Sequence, residues 1–208
     1  MSIGKSVIRP LKDALDDMPV HIRQLAEMFR KHAQKQRRNN DGIADVDKFD
    51  GVHTVRGDNI KTTIFDPKTN RPISERGHIR EDFGSSHRGD NATEIGRTGR
   101  SGDDGGHLGG HRFFGDTPDQ GIAPQAANLN RGAWRKMENE WADWVATGRH
   151  VDYEIRVYPP GSTRPDKFEV EYTVTDPATG KQMTFTPVFD NEPDQVFDRI
   201  YKKDMQGK

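Results

Sequence analysis

Apolar and polar residues alternate with a period of two in VHTVRG (52–57), IKTTIFD (60–66), HVDYEIRVY (150–158) and KFEVEYTV (167–174). That spacing puts one face of each segment in a core and the other in water, as in an antiparallel sheet. The turn residues agree, with DPKTNRP leading into ISERGHIR and DPATG leading into QMTFTPVF. LNRGAWRKMENEWADWVAT (129–147) carries a helical period instead, with Trp134, Met137, Trp141 and Trp144 on one face as core anchors and Gly148 as its stop. The fold class expected is α+β, an antiparallel sheet with one long central helix.

The termini read differently. Residues 7–38 have helical periodicity, with Asp17 and Pro19 starting a second helix whose apolar stripe is Ile22, Leu25, Met28 and Phe29. The polar run KQRRNNDG closes it, so an N-terminal helical arm (1–42) is expected before the main domain (43–208). A short amphipathic helix is expected from Pro193, containing Val196, Phe197, Ile200 and Tyr201. Residues 84–106 are rich in glycine and poor in apolar side chains, which predicts a long loop over the surface or beside a site. Only 31% of the residues are hydrophobic, so apolar burial is concentrated in part of the chain.

Several classes of function are excluded. Without cysteine there are no disulfides, zinc–thiolate sites or thiol nucleophiles. The start MSIGKSVIRPLKDALDD does not read as a secretory signal, and no membrane span is expected. A net charge of -1 neither requires nor forbids a nucleic-acid partner, because a bound cation supplies positive charge locally.

Two segments concentrate functional groups, DDGGHLGGHRFFGD (103–116) and APQAANLNRGAWRKMEN (123–139). Asn130 and Glu138 lie eight residues apart on the expected helix, about 80° apart in projection and roughly 12 Å along the axis. Both can face one space, and a hard cation there takes one oxygen directly and reaches the other through water. His107 follows Gly105 and Gly106, whose missing side chains are expected to let a phosphodiester approach an imidazole that titrates near neutrality. A zinc site on His107 and His111 is disfavoured by the glycines between them, and His111 is expected to be exposed or to support other groups.

Together, DDGGH followed by PQxxNLNRGAWRKME resembles the DNA/RNA non-specific endonuclease family, the ββα-metal or His-Me finger nucleases, and particularly a DGGH-bearing bacterial toxin branch. The resemblance implies a central ββα-metal motif in which His107 is the general base, Asn130 a direct ligand of one Mg2+ or Mn2+ ion, and Glu138 a ligand through water. It further implies that Asp104 orients metal-bound water and Gln125 supports the substrate; Asn128 is read as a turn or cap. Where the better-known branch has an arginine, this chain has Gly105, so Arg100, Arg97 and Arg112 are the candidates for the scissile phosphate, Arg100 foremost. Gly121 likewise stands where the family often has an asparagine. DNA is the expected substrate, with RNA also open to it.

The competing reading is a non-catalytic module that holds nucleic acid or protein through Arg76, Arg80, Arg88, Arg97, Arg100 and Arg112. Their acidic neighbours Glu75, Glu81, Asp90 and Asp103 favour an ordinary solvated surface instead. The biological expectation is an antibacterial effector, made in the bacterial cytoplasm and exported by a specialised secretion system that loads it through the arm. A cognate immunity protein would cover the His107 cleft.

Overall fold

The computed structural model describes residues 51–84, 89–117 and 121–205. The expected arm lies outside these residues.

Seven strands form one antiparallel sheet: β1 (Gly51–Arg56), β2 (Asn59–Phe65), β3 (Pro72–Ile79), β6 (His150–Tyr158), β7 (Lys167–Thr175), β8 (Gln182–Phe185) and β9 (Val188–Asp190). Their order is β1-β2-β3-β6-β7-β8, with β9 beside β7 at the other end of the same edge. Every segment expected to be a strand is one. The alternation has the predicted cause, since Val151, Tyr153, Ile155 and Val157 of β6 are buried while Asp152, Glu154 and Arg156 face outward. Strands β3 and β6 are neighbours in register from Ser74↔Arg156 to Ile79↔Val151, yet 70 residues (80–149) separate them in sequence. The site residues lie in that excursion.

The excursion contains a second, two-stranded sheet, β4 (Asp103–His107) paired with β5 (Ile122–Ala126), and the short helices α1 (Ala92–Gly96) and α2 (His111–Phe114). After β5 the chain runs through one helical turn, α3 (Ala127–Leu129), a π turn (Asn130–Trp134) and α4 (Arg135–Ala146). This continuous helix packs on the buried face of the large sheet. Trp134 meets Phe168 at 5.2 Å between ring centroids, and Trp141 stacks on Tyr153 at 5.1 Å. All three tryptophans are fully buried, as their spacing predicted.

Two expectations are corrected. Residues 84–106 are not one long loop, because α1 and the start of β4 lie within them. The glycines that suggested a loop permit close packing: a Cβ on Gly105 would stand 1.8 Å from the Ala92 carbonyl oxygen, and one on Gly96 2.5 Å from the Gly105 nitrogen. The segment after Pro193 does not form the expected helix either: Val196, Phe197, Ile200 and Tyr201 lie outside any helix, and only a 3-10 turn (Lys202–Asp204) follows. Its polar groups are held by α4 instead: the Ile200 N–H donates to Glu140 Oε2 (2.6 Å) and Arg199 pairs with Asp143, while Phe197 and Ile200 pack on the core. So short a segment gains more from these anchors than from a helix of its own.

A polar network lies inside the domain. Glu75 and Lys61 are fully buried and joined at 3.1 Å, and Glu75 also accepts from Thr63 Oγ1 (2.7 Å) and the Tyr153 hydroxyl (2.8 Å). Burial, reinforced by the Glu75 charge, pushes the Tyr153 phenol well above its ordinary pKa. Gly109 and Gly121 rest directly on this network, which supports the loops on either side of the small ribbon from below.

Candidate active site

The ribbon β4–β5 sets the register of the functional residues. Asp104 stands opposite Gln125 and His107 opposite Ile122, and Leu108 continues the ladder by donating to the Gly121 carbonyl at 2.7 Å. Asn191 pins the ribbon to the rest of the domain, its side chain accepting from the Ala126 N–H (2.7 Å) and donating to the Pro124 and Pro165 carbonyls (2.9 and 2.7 Å). Arg164 forks onto Asp103 at 2.7 and 3.2 Å, giving that carboxylate a structural place. From the helix, the Trp134 indole donates to the His107 carbonyl at 3.0 Å. Ribbon and helix are thereby locked together at His107.

The His107 side chain is 4% exposed, and its Nε2 lies 2.7 Å from Asp90 Oδ2. The hydrogen bond to His107 is the main reason the Asp90 carboxyl is held down at about 2, against the opposing effect of burial. Asp90 Oδ1 accepts the Ala92 N–H at 3.2 Å, so one carboxylate both starts α1 and orients the imidazole. This pairing assigns the proton to Nε2 and makes Nδ1 the basic nitrogen. Sequence reasoning had read Asp90 as a surface acid. The signal that could have found it is an aspartate two residues before a helix start.

Of the two places expected for it, His111 takes the supporting one rather than the exposed one: it is buried, and its Nε2 lies 2.9 Å from Asp116 Oδ1. Its ring stands edge-on to His107 with 5.7 Å between centroids. Asp116 also accepts the Gly89 N–H, and these two bonds hold its carboxyl below the usual range. Asp90, His111 and Asp116 each bring one ligand atom within 4.8 Å of the others, a donor set able to hold a metal ion.

The helix start gathers a second cluster. The Asn130 Nδ2 donates to Asp104 Oδ2 at 3.1 Å, and Arg131 forks onto the same carboxylate, Nε to Oδ2 at 2.7 Å and NH2 to Oδ1 at 2.6 Å. With its NH2 group turned to Asp104, the Asn130 amide keeps its carbonyl oxygen out of that bond, and an amide oxygen is the kind of atom a hard cation takes. The π turn revises the geometry expected for Glu138. One residue is absorbed in the wide turn, so Asn130 and Glu138 fall within about 20° of each other in projection rather than about 80°, separated by about 10 Å along the axis. Helical side chains lean toward the N-terminus, which is the direction of Asn130 from Glu138. Its carboxylate lies against Gly110, where a Cβ would meet it at 2.8 Å.

The remaining expected residues are less close to these groups. Arg100 is exposed and bonded to Glu192 at 2.5 Å, and Arg97 is exposed at the end of α1. Arg112 forks onto Asp82 at 2.8 and 2.6 Å and donates to Asn139 Oδ1 at 2.6 Å, joining α2 to α4. Asn128 accepts the Asp194 N–H at 3.0 Å, a role in fixing the chain. Gln125 is fully buried with neither amide atom hydrogen-bonded, its side chain filling the space a Cβ on Gly106 would need. Gly105 and Gly106 therefore do not open a path for substrate, as their sequence suggested; protein occupies the sides they leave vacant. The same crowding explains why no arginine stands at 105, since Ala92 covers that position.

A hairpin that feeds directly into a helix, with a histidine on the one and an asparagine on the other, is the ββα arrangement of a nuclease. Residues 75–176 match the model of the DNA/RNA non-specific endonuclease family. Among solved structures it is similar to NucA from Streptococcus agalactiae with a magnesium ion bound, at 16% identity and a TM-score of 0.51, over 74% of this chain and 76% of that one. An extracellular endonuclease also matches, at 16% identity and a TM-score of 0.48, over 78% of this chain and 89% of that one. No curated protein matches. The protein is a nuclease, a hydrolase whose substrate is nucleic acid. Among the described residues, no helix is long and apolar enough to cross a membrane.

Proposed function

We propose that this nuclease cuts DNA and RNA internally with one divalent cation, using His107 as general base. The observation that carries the proposal is the bond from the Asn130 NH2 group to Asp104, which leaves the amide oxygen for a cation, and the π turn that brings Asn130 and Glu138 to one side of the helix supports it. Mg2+ or Mn2+ held by these two residues would stabilise the negative charge that develops on the phosphate and the departing oxygen.

The chain's own residues do the rest. Asp90 holds Nε2 of His107, and Nδ1 takes the proton of the attacking water. The water oxygen bonds to phosphorus as the bond to the 3′-oxygen breaks, and that oxygen takes a proton from solvent, leaving a 5′-phosphate and a 3′-hydroxyl. Asp104 keeps Asn130 in its orientation. These groups address phosphate and sugar rather than base edges, so weak sequence preference follows.

The biological reading is an antibacterial effector of the DGGH-bearing toxin branch, exported by a specialised secretion system and neutralised by an immunity protein over the His107 cleft. The motif DDGGH and the family match support it. Expression in the bacterial cytosol should arrest growth, and His107→Ala should abolish the arrest; harmless wild-type protein would refute the toxin role.

The chemistry is tested with supercoiled plasmid and bulk RNA in Mg2+, Mn2+ or EDTA. Wild type should degrade both only with metal, His107→Ala and Asn130→Ala should fail, and His111→Ala should retain its metal requirement. Metal dependence lost with His111 but kept with Asn130 would move the cation to the Asp90, His111 and Asp116 group.

A further inference from the structure

Arg131 has no part in the reaction as described, yet its guanidinium sits on the carboxylate that orients Asn130. Its side chain is 72% exposed, and it makes two parallel bonds to Asp104 at 2.7 and 2.6 Å. A planar fork that matches two carboxylate oxygens matches two phosphate oxygens equally well. The other arginines near the ribbon are engaged differently. Arg112 is anchored at both ends by Asp82 and Asn139, Arg164 is largely buried on Asp103 and the Asn191 carbonyl, and Arg100 reaches toward Glu192.

We infer that Arg131 is a phosphate-binding residue of the nucleic-acid substrate, exchanging Asp104 for a phosphate beside the one that is cut. The inference rests on the nuclease reading above. The exchange is balanced in charge. A cation held by Asn130 would compensate the Asp104 carboxylate once the guanidinium turned away, while the arriving phosphate would replace the lost anion on Arg131. Arg131 follows Asn130 directly and shares Asp104 with it, so a phosphate on its guanidinium would lie beside the residue assigned to the cation. Its exposure lets the fork move without disturbing the core.

The test uses the full chain carrying His107→Ala, with and without Arg131→Ala or Arg131→Lys. Binding of a fluorescent single-stranded oligonucleotide is measured by anisotropy in Ca2+ across a range of salt. Arg131→Ala should weaken binding about tenfold and reduce the slope of log Kd against log salt by about 0.7, as expected for one phosphate on a single strand. Arg131→Lys should recover part of the affinity, since it keeps the charge but not the fork. Cleavage by Arg131→Ala in the otherwise wild-type chain should show a raised KM with an unchanged Mg2+ requirement. Unchanged affinity and salt slope would overturn the inference, as would a defect cured by excess Mg2+, which would mean that Arg131 acts through Asp104. Wild type that binds the oligonucleotide through Arg131 but cleaves nothing would instead remove the nuclease reading and leave the phosphate contact standing.

Discussion

Gly105→Ala should damage both stability and catalysis through a single displacement. The new methyl carbon would sit 1.8 Å from the Ala92 oxygen, with the Ala92 carbonyl carbon at 2.5 Å and its Cα at 2.9 Å. Carbon and oxygen ordinarily approach no closer than about 3.3 Å, so α1 must retreat by about 1.5 Å. Every colliding atom is backbone, and no rotamer change can absorb the clash. Overpacking of this severity costs about 3 kcal/mol. The retreat also carries Asp90, which is bonded to the first residue of α1, and stretches its 2.7 Å bond to His107 to about 4 Å, beyond hydrogen bonding. Loss of that orientation should lower plasmid cleavage about 100-fold. Urea unfolding and initial cleavage rates measure the two effects, with Gly132→Ala as a control that places its methyl in open space on the helix. A Gly105→Ala protein with the wild-type urea midpoint and rate would refute the packing of α1 on β4 and the coupling drawn from it.

Two further outcomes follow from buried charges. Asp90, held at about 2 by His107, contributes stability that is complete above the ordinary carboxylate value of 3.8 and fades as pH falls toward 2. Urea midpoints of wild type and Asp90→Asn should therefore differ between pH 5 and 7 and converge near pH 2; a constant difference would separate the effect from ionisation. Lys61→Met should cost about 3–5 kcal/mol in urea unfolding, because it strands the Glu75 carboxylate in the core, and adding Glu75→Gln should recover most of the loss. A double variant no better than Lys61→Met would argue against that pairing.

The sheet and the long helix were legible because each has one wet and one dry face over many residues, and that repetition is what periodicity detects. Helix α1 was not, since five residues make little more than one turn, too few to repeat a pattern, and its glycine resembles those of a loop. The reason for that glycine is a neighbour's backbone, which no local pattern records. The same holds for Asp90 and His111, whose partners His107 and Asp116 meet them only through the fold of the intervening chain. The π turn left no composition signal, and its consequence for Asn130 and Glu138 came only with the fold. The segment after Pro193 had the apolar spacing of a helix but found its partners on α4. His107, Asn130 and Glu138 were singled out through family resemblance rather than by spacing.

Because β3 and β6 are direct neighbours, their register does not depend on the length of residues 80–149, although α4 within them completes the core. Loop closure grows with the logarithm of length, so doubling such an excursion costs only about 0.6 kcal/mol. The segments 51–79 and 150–190 each form local antiparallel pairs, and joining β3 to β6 brings the two ends of the excursion together. The scaffold is therefore nearly indifferent to insertions at the tips of that loop, away from the ribbon. Changes of reach or substrate grip can accumulate there while the sheet that carries them keeps its register.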